Sequence, residues 1–193
     1  MASTRIEYKD IRLILCAQGY KLDFQYIIKG IGFYSKNICG SIPIDNKLNR
    51  KQLDIKNQDI INYYEDCVHG IKFGKKFQNG VSISDLKTFI KCLYNICSED
   101  GKYIGIVRDE NLSGHIHLAG LQSVYIDMET KETPGGGKIS SNDIFREWIN
   151  NNKELYKYCY MHEPIKDDVI PICSKAKANF IANLCTKFEI NIV

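Results

Sequence analysis

An amphipathic helix pattern that leads into a fully apolar segment is the feature of this sequence that most restricts its fold. Apolar side chains recur at steps of three and four from Leu86 to Cys97, which predicts a helix with one buried face. The pattern ends near Gly101, and the next segment, 103–107, is apolar throughout. Such a segment is typical of a strand that is buried on both faces. A helix followed by a buried strand predicts an α/β fold.

Other segments add strands and helices around this pair. Aromatic and β-branched residues predict strands at 11–16, 24–34, 37–44 and 123–127, with the first two forming a hairpin. Apolar spacing predicts a short helix within 45–80, another at 116–122, one around Trp148 and a last one that begins near Ser174. The order predicts one mixed sheet flanked by helices. At 193 residues and without an internal linker or repeat, the chain is expected to form a single domain, 1–193.

Composition and charge exclude several classes of protein. The chain is 44% hydrophobic and 25% charged with four prolines, which excludes a collagen-like or largely disordered chain. Its apolar segments are far shorter than the roughly 20 residues that span a bilayer, so no membrane partner is expected. The segment 1–7 lacks the pattern of a secretory signal. We therefore expect an intracellular location, in the cytoplasm or the nucleus.

The eight cysteines are interpreted in that reducing context. Thiols there are more often buried side chains or metal ligands than disulfides. Cys92, Cys97 and Cys185 accompany helical patterns and are expected to act as small hydrophobic residues.

A metal site is predicted near the carboxy terminus. Cys159 and His162 are separated by two residues, and Cys173 follows after ten more. This spacing lets one turn and a returning loop supply three ligands to a tetrahedral ion, and thiolate with imidazole favours zinc. Glu163, Cys16 and Cys185 are candidates for a fourth ligand. The alternative is a pair of buried thiols beside a surface histidine.

Two weaker patterns concern nucleic acid and phosphate chemistry. Lys72, Lys75, Lys76 and Arg50, with the aromatic residues Phe73 and Phe77 among them, predict a surface for single-stranded RNA. The alternative is a solvated face whose lysines reflect codon bias, and the net charge of +3 with an isoelectric point near 8.3 does not decide between the two. His115 and His117 would share one side of a strand and could hold a metal ion near Asp109. The alternative is a polar loop with two surface histidines.

The carboxy-terminal motif resembles a known family. Cys159-Tyr-Met-His162-Glu163, followed by Cys173-Ser174 and an apolar helix, is similar to the signature of the Maelstrom domain and of related insect proteins with a degenerate DEDD exonuclease-like domain. The segment Cys16-Ala17-Gln18-Gly19-Tyr20 resembles their Asp-x-Gln-Gly-Phe, and residues 26–33 resemble their second strand. The similarity loosely spans most of the chain and implies a ribonuclease H-like fold.

The departures from that family concern catalysis. Exonuclease-like enzymes hold two divalent metals about 4 Å apart with clustered carboxylates. By the resemblance, Cys16 replaces the aspartate of the first strand and Gly30 replaces the glutamate of the second. The resemblance therefore implies the fold without the two-metal site, and the glutamate of the family's zinc site is missing as well.

Three hypotheses follow. The first is a catalytically degenerate ribonuclease H-like module, with structural zinc on Cys159, His162 and Cys173, that binds RNA or a protein partner. Residual cleavage of single-stranded RNA stays open, because some members of that group look able to cleave without the usual carboxylates. The second is a structural or interaction protein of viral or mobile-element origin that uses the fold as a scaffold. The third is a phosphodiesterase that uses His115, His117 and Asp109.

Overall fold

The computed structural model describes residues 5–23, 25–107, 109–127, 141–154, 159–163, 165, 172–187 and 192. In chain order the elements are β1 (Ile11–Leu22), β2 (Gln25–Tyr34), β3 (Cys39–Asp45), α1 (Ile55–Tyr63), β4 (Val81–Ser82), α2 (Leu86–Ile96), β5 (Tyr103–Ile106), α3 (Glu110–Leu118), β6 (Ser123–Tyr125), α4 (Ser141–Asn151) and α5 (Ser174–Lys187). A π-helical turn, Tyr64–Val68, continues α1. None of the described helices is both long and apolar enough to cross a membrane.

The strands form one six-stranded mixed sheet in the order β4-β3-β2-β1-β5-β6. β2 runs antiparallel to both β1 and β3, whereas β1, β5 and β6 are mutually parallel. The sequence prediction of an α/β fold with a mixed sheet flanked by helices is confirmed. At this coarse level the arrangement is consistent with that of ribonuclease H.

The two faces of the sheet are covered by different helices, because alternate residues of a strand point to opposite faces. Leu13 and Leu15 of β1 pack in a core cluster with residues of α2 and α3. Ile14 and Cys16 pack in a second cluster with residues of α5. The central strand thus supplies apolar side chains to both layers, which explains why it contains almost no polar residues before Gln18.

Two elements differ from the sequence prediction. β1 continues to Leu22 instead of ending at 16, because a bulge accommodates the Gln18-Gly19 step: Gln18 pairs with Gly30 but Gly19 pairs with Ile28. The helix expected at 116–122 lies at Glu110–Leu118 instead. Asp109 begins it, because its side chain accepts a hydrogen bond from Leu112 N at 2.9 Å.

Candidate metal centre

The three predicted metal ligands come together in the fold. One ligand atom each from Cys159, His162 and Cys173 lies within 4.8 Å of the other two. A tetrahedral zinc ion with bonds of about 2.0 to 2.3 Å would hold such atoms about 3.5 to 3.8 Å apart. The cluster can therefore hold a metal ion after small adjustments. Cys159 is 8% exposed and Cys173 is fully buried, so water does not compete freely for the site.

The orientation of His162 fits a metal ligand. Its Nδ1 donates a hydrogen bond to the backbone oxygen of His69. A carbonyl can only accept, so this contact places the proton on Nδ1 and leaves a lone pair on Nε2. His162 Nε2 is buried and has no hydrogen-bond partner in the described part of the chain. A metal-binding histidine characteristically has this pattern, with the second ring nitrogen held by a carbonyl.

Gln18 of β1 holds the segment that contains Cys173. Its Nε2 donates to Ile172 O, and its Oε1 accepts from Ser174 N at 3.0 Å. The buried amide therefore binds the residues on both sides of Cys173 at the start of α5. Gly32 of β2 lets the start of α5 lie this close to the sheet, because a Cβ at that position would lie 2.0 Å from the carbonyl carbon of Ser174.

The turn that carries Cys159 and His162 is bonded to the segment after α1. Glu163 N donates to Gly70 O at 2.8 Å, and Ile172 N donates to Val68 O at 2.8 Å. Gly70 has a φ of +66°, a left-handed conformation that favours glycine. The turn with Cys159 and His162, the segment 68–70 and the start of α5 thus form one hydrogen-bonded unit.

His69 connects this unit to β1. It is 1% exposed, with Nε2 3.2 Å from Gly19 O and Nδ1 accepting from Ile71 N at 3.0 Å. Burial lowers the pKa of His69 to about 4, so the ring is neutral at physiological pH. A neutral ring with its proton on Nε2 satisfies both contacts at once.

The two thiols of the cluster are electrostatically coupled. A hydrogen bond from Cys173 lowers the pKa of Cys159, and the same hydrogen bond, together with burial, raises the pKa of Cys173. Ser41 Oγ lies 3.7 Å from Cys159 Sγ as a further hydrogen-bond partner. Cys159, next to His162, is therefore the thiol of the pair that gives up its proton more readily, and the thiolate is the form in which cysteine binds a metal ion.

The candidates for a fourth ligand lie elsewhere. Cys16 and Cys185 pack together in the apolar cluster under α5, separate from the cluster that contains Cys159 and Cys173. Glu163 instead forms an ion pair with Lys75 at 3.4 Å. None of the three belongs to the group of ligand atoms that the described residues form. The side chain of Met161 packs against Gly30, which stands where the resemblance implies a catalytic glutamate. Its Sδ would lie 3.3 Å from a Cβ at Gly30.

A cavity of about 600 Å³ lies at the carboxyl ends of β1 and β5. In open α/β sheets, ligands bind in the crevice outside the carboxyl ends of the strands, at the point where the strand order reverses. The lining residues with functional groups include Cys16, Lys21, Tyr26, Asp109, Glu110 and Lys177. Burial raises the pKa of Cys16 to about 12, so its thiol is protonated. The cavity is therefore lined by a neutral thiol, lysines and scattered carboxylates.

The carboxylates of this cavity do not converge. Burial raises the pKa of Asp109, while backbone N–H groups and the charge of Lys177 act in the opposite direction. Asp23 forms an ion pair with Lys56 at 2.8 Å. Across the described ranges, Cys159, His162 and Cys173 form the only compact group of three potential ligands.

Three of the four basic residues proposed for RNA have acidic neighbours. Glu65 Oε2 lies 3.4 Å from both Arg50 Nη1 and Lys72 Nζ, and Lys75 pairs with Glu163. Lys76 is exposed and forms no ion pair with another described residue. Phe73 is 1% exposed, so its ring cannot contact a nucleic acid.

The interpretation of His115 and His117 as neighbours on a strand face is wrong. Both lie in α3, Glu110–Leu118. Residues two apart on a helix are separated by about 200° around its axis, so the two imidazoles do not face the same side.

The sequence motif missed Gln18, His69 and Ser41 as parts of the metal centre. Their distances along the chain from the ligands hide this role, since Gln18 and Ser174 are 156 residues apart. Gln18 had a local signal, because it is a polar residue within an otherwise apolar strand. Comparison with known proteins gives no match, whether to a family model, to a curated protein or to a solved structure.

Proposed function

We propose that this protein is a zinc-stabilised, catalytically degenerate ribonuclease H-like module of the Maelstrom type that binds single-stranded RNA without cleaving it. The observation that carries the proposal is the position of Lys177 beside Cys16 and Asp109 at the carboxyl ends of β1 and β5. Two-metal catalysis needs several carboxylates around two cations. A lysine ammonium and a protonated thiol at this place disfavour divalent metal binding.

Zinc is the ion that we propose for Cys159, His162 and Cys173. Two sulfur ligands and one imidazole favour zinc, which needs no redox partner and no octahedral oxygen shell. The buried lone pair of His162 Nε2 supports the same assignment. The ion would hold the start of α5 to the turn at 159–163, and this is a structural role.

Metal analysis of the purified protein tests the zinc proposal. We expect one zinc ion per chain, lost on Cys173→Ser and retained on Cys92→Ser, which alters an exposed thiol of α2. A wild-type chain without zinc, or a Cys173→Ser variant that keeps its zinc, would contradict the proposal.

A nuclease assay tests the absence of catalysis. Labelled single-stranded RNA should stay intact with Mg²⁺ or Mn²⁺ in excess. Cleavage that is lost on Asp109→Ala would show that the cavity between β1 and β5 is an active site after all. Manganese-dependent cleavage that is lost on His115→Ala would support the phosphodiesterase hypothesis instead.

A protein scaffold is the second candidate function. The observation in its favour is that Arg50, Lys72 and Lys75 lie beside Glu65 or Glu163, which reduces the positive charge available for phosphates. Failure of the wild-type protein to bind single-stranded RNA at low salt, where phosphate contacts are strongest, would favour this candidate.

A further inference from the structure

Tyr160 is an exposed aromatic residue in the middle of the candidate metal centre. Its side chain is 56% exposed, although Cys159 and Met161 on either side are 8% and 0% exposed. The ring contacts Phe77 edge to face, with centroids 6.0 Å apart and planes at 76°. Tyr160 thus exposes more than half of its surface to solvent, and exposed aromatic rings can stack with the bases of single-stranded nucleic acids.

Lysines lie beside this aromatic pair. Lys75 Nζ lies 5.2 Å from the centroid of Phe77 and 3.4 Å from Glu163 Oε1. The next residue, Lys76, is exposed and has no ion-pair partner among the described residues. A lysine adjacent to a stacked base can reach the phosphate on its 5′ or 3′ side. Lys76 supplies such a free charge, whereas Lys75 would exchange Glu163 for a phosphate.

The two rings belong to segments that the metal centre joins. Phe77 follows the segment 68–70, and Tyr160 lies between two metal ligands. Glu163 N bonds Gly70 O at 2.8 Å and His162 Nδ1 bonds His69 O. An ion bound to Cys159 and His162 would fix the turn 159–163, whose residues form both of these hydrogen bonds. Among the described residues, the other contacts that hold Tyr160 against Phe77 are these hydrogen bonds and the packing of side chains in the turn.

We infer that Tyr160, Phe77, Lys75 and Lys76 form the surface that binds single-stranded RNA, and that this surface is assembled only when the Cys159–His162–Cys173 cluster holds its metal. The inference rests on the proposed function, because it names the site at which the proposed partner binds. It replaces the wider basic surface with a smaller one in which Phe73 has no part.

Fluorescence anisotropy with labelled oligouridine about 12 nucleotides long tests the surface on the metal-loaded protein. Tyr160→Ala should weaken binding roughly tenfold, as expected for the loss of one stacked base, and Tyr160→Phe should restore most of it. Tyr63→Ala is the matched control, because it removes a tyrosine of α1 that is 60% exposed; it should leave the affinity unchanged. Lys76→Ala should make the slope of the logarithm of affinity against the logarithm of salt concentration shallower, by the amount expected for about one phosphate contact. Lys87→Ala on α2 should leave this slope unchanged.

Chelation tests the dependence on the metal. Adding EDTA to the wild-type protein should weaken oligouridine binding to the level of Tyr160→Ala and should have little further effect on that variant. Circular dichroism on the same samples shows whether the sheet stays folded, and Cys159→Ser, measured without chelator, should behave like the chelated wild type.

The outcomes separate the inference from the function on which it rests. Wild-type protein that binds no RNA overturns the RNA function and the surface together, and favours a protein partner. RNA binding that Tyr160→Ala leaves unchanged overturns the surface alone. RNA binding that falls on Tyr160→Ala but withstands loss of the metal, verified by elemental analysis, overturns the metal dependence.

Discussion

Ser174 N donates a hydrogen bond to Gln18 Oε1 at 3.0 Å, and this contact joins the central strand to the first residue of α5. The same side chain donates to Ile172 O, so one amide of β1 determines where Cys173 lies. The geometry of the candidate metal centre therefore depends on a residue that is not itself a ligand.

Gln18→Ala should weaken both the fold and metal binding. The variant leaves Ser174 N buried without a partner, which costs about 2 kcal/mol of unfolding free energy. We also expect the zinc affinity to fall, because the backbone on both sides of Cys173 loses its anchor. Urea unfolding and competition with a zinc chelator measure the two effects. Gln25→Ala, an exposed glutamine of β2, is the control, and an unchanged zinc affinity for Gln18→Ala would contradict the argument.

Gly32→Ala should be strongly destabilising. The added Cβ would lie 2.0 Å from two backbone atoms of Ser174, and backbone cannot rotate away as a side chain can. We expect the free energy of unfolding to fall by about 3 kcal/mol, as for severe overpacking of a core. At Gly74 an added Cβ meets no atom within 4 Å, so Gly74→Ala should change stability by less than about 0.5 kcal/mol. Equal stability of the two variants would show that α5 does not pack on β2 this closely.

Glu65 should be essential for the segment after α1. It is 7% exposed, and its Oε1 accepts a hydrogen bond from Phe73 N at 2.7 Å. Glu65→Leu leaves that N–H without an acceptor and removes the buried carboxylate that Arg50 and Lys72 share, so we expect a loss of about 3 kcal/mol. Glu65→Gln should lose less, because the amide oxygen still accepts from Phe73 N. Denaturation by urea measures both, and equal losses would show that the charge, and not the hydrogen bond, is the main contribution.

Asp109→Asn should raise stability at neutral pH and have no effect in acid. Burial raises the pKa of Asp109, so the folded state carries an unfavourably desolvated carboxylate when the pH lies above that value. As the pH falls below the raised pKa, the folded state takes up the proton, and the penalty is lost progressively until the carboxyl group of the unfolded chain is protonated as well. Asparagine keeps the hydrogen bond that begins α3.

Urea midpoints of the wild type and of Asp109→Asn, measured from about pH 4 to pH 8, should therefore diverge as the pH rises. Asp54→Asn is the matched control, since Asp54 begins α1 with the same type of hydrogen bond. Asp54→Asn measures how much stability is lost when aspartate is replaced by asparagine at the start of a helix. A lower neutral-pH stability for Asp109→Asn would show that attraction to Lys177 exceeds the desolvation cost.

Much of the fold could be predicted from local patterns. The three-and-four spacing of Leu86, Ile90 and Leu93 indicated α2, and the apolar segment 103–107 indicated β5, because burial on one face or on both leaves a periodic trace in the sequence. The continuation of β1 past Gln18 was not predictable in this way. Gly19 is a local signal for either a turn or a bulge, and only the pairing of Gly19 with Ile28 decides for a bulge within a continuous strand.

The candidate metal centre likewise combines features that the sequence predicts with features that it does not. The spacing of Cys159, His162 and Cys173 predicted a cluster that could hold a metal ion, since Cys159 and His162 share one turn; the position of Cys173 depends also on Gln18. The four basic residues were also visible in the sequence, but their acidic neighbours were not. Whether Lys75 faces solvent or Glu163 depends on a contact across 88 residues.

The sequence by itself determined the alternation of strands and helices and the Cys159–His162 pair of candidate ligands, because both arise from interactions within a few residues or one turn. Only the tertiary structure decided the rest: that Gln18 anchors Cys173, that Lys177 lies beside Cys16 and Asp109, and that Tyr160 meets Phe77. These pairs are brought together by the packing of α5 on the sheet and by the return of the chain along the segment 68–70. Their chemistry follows from neighbours that are distant in the sequence.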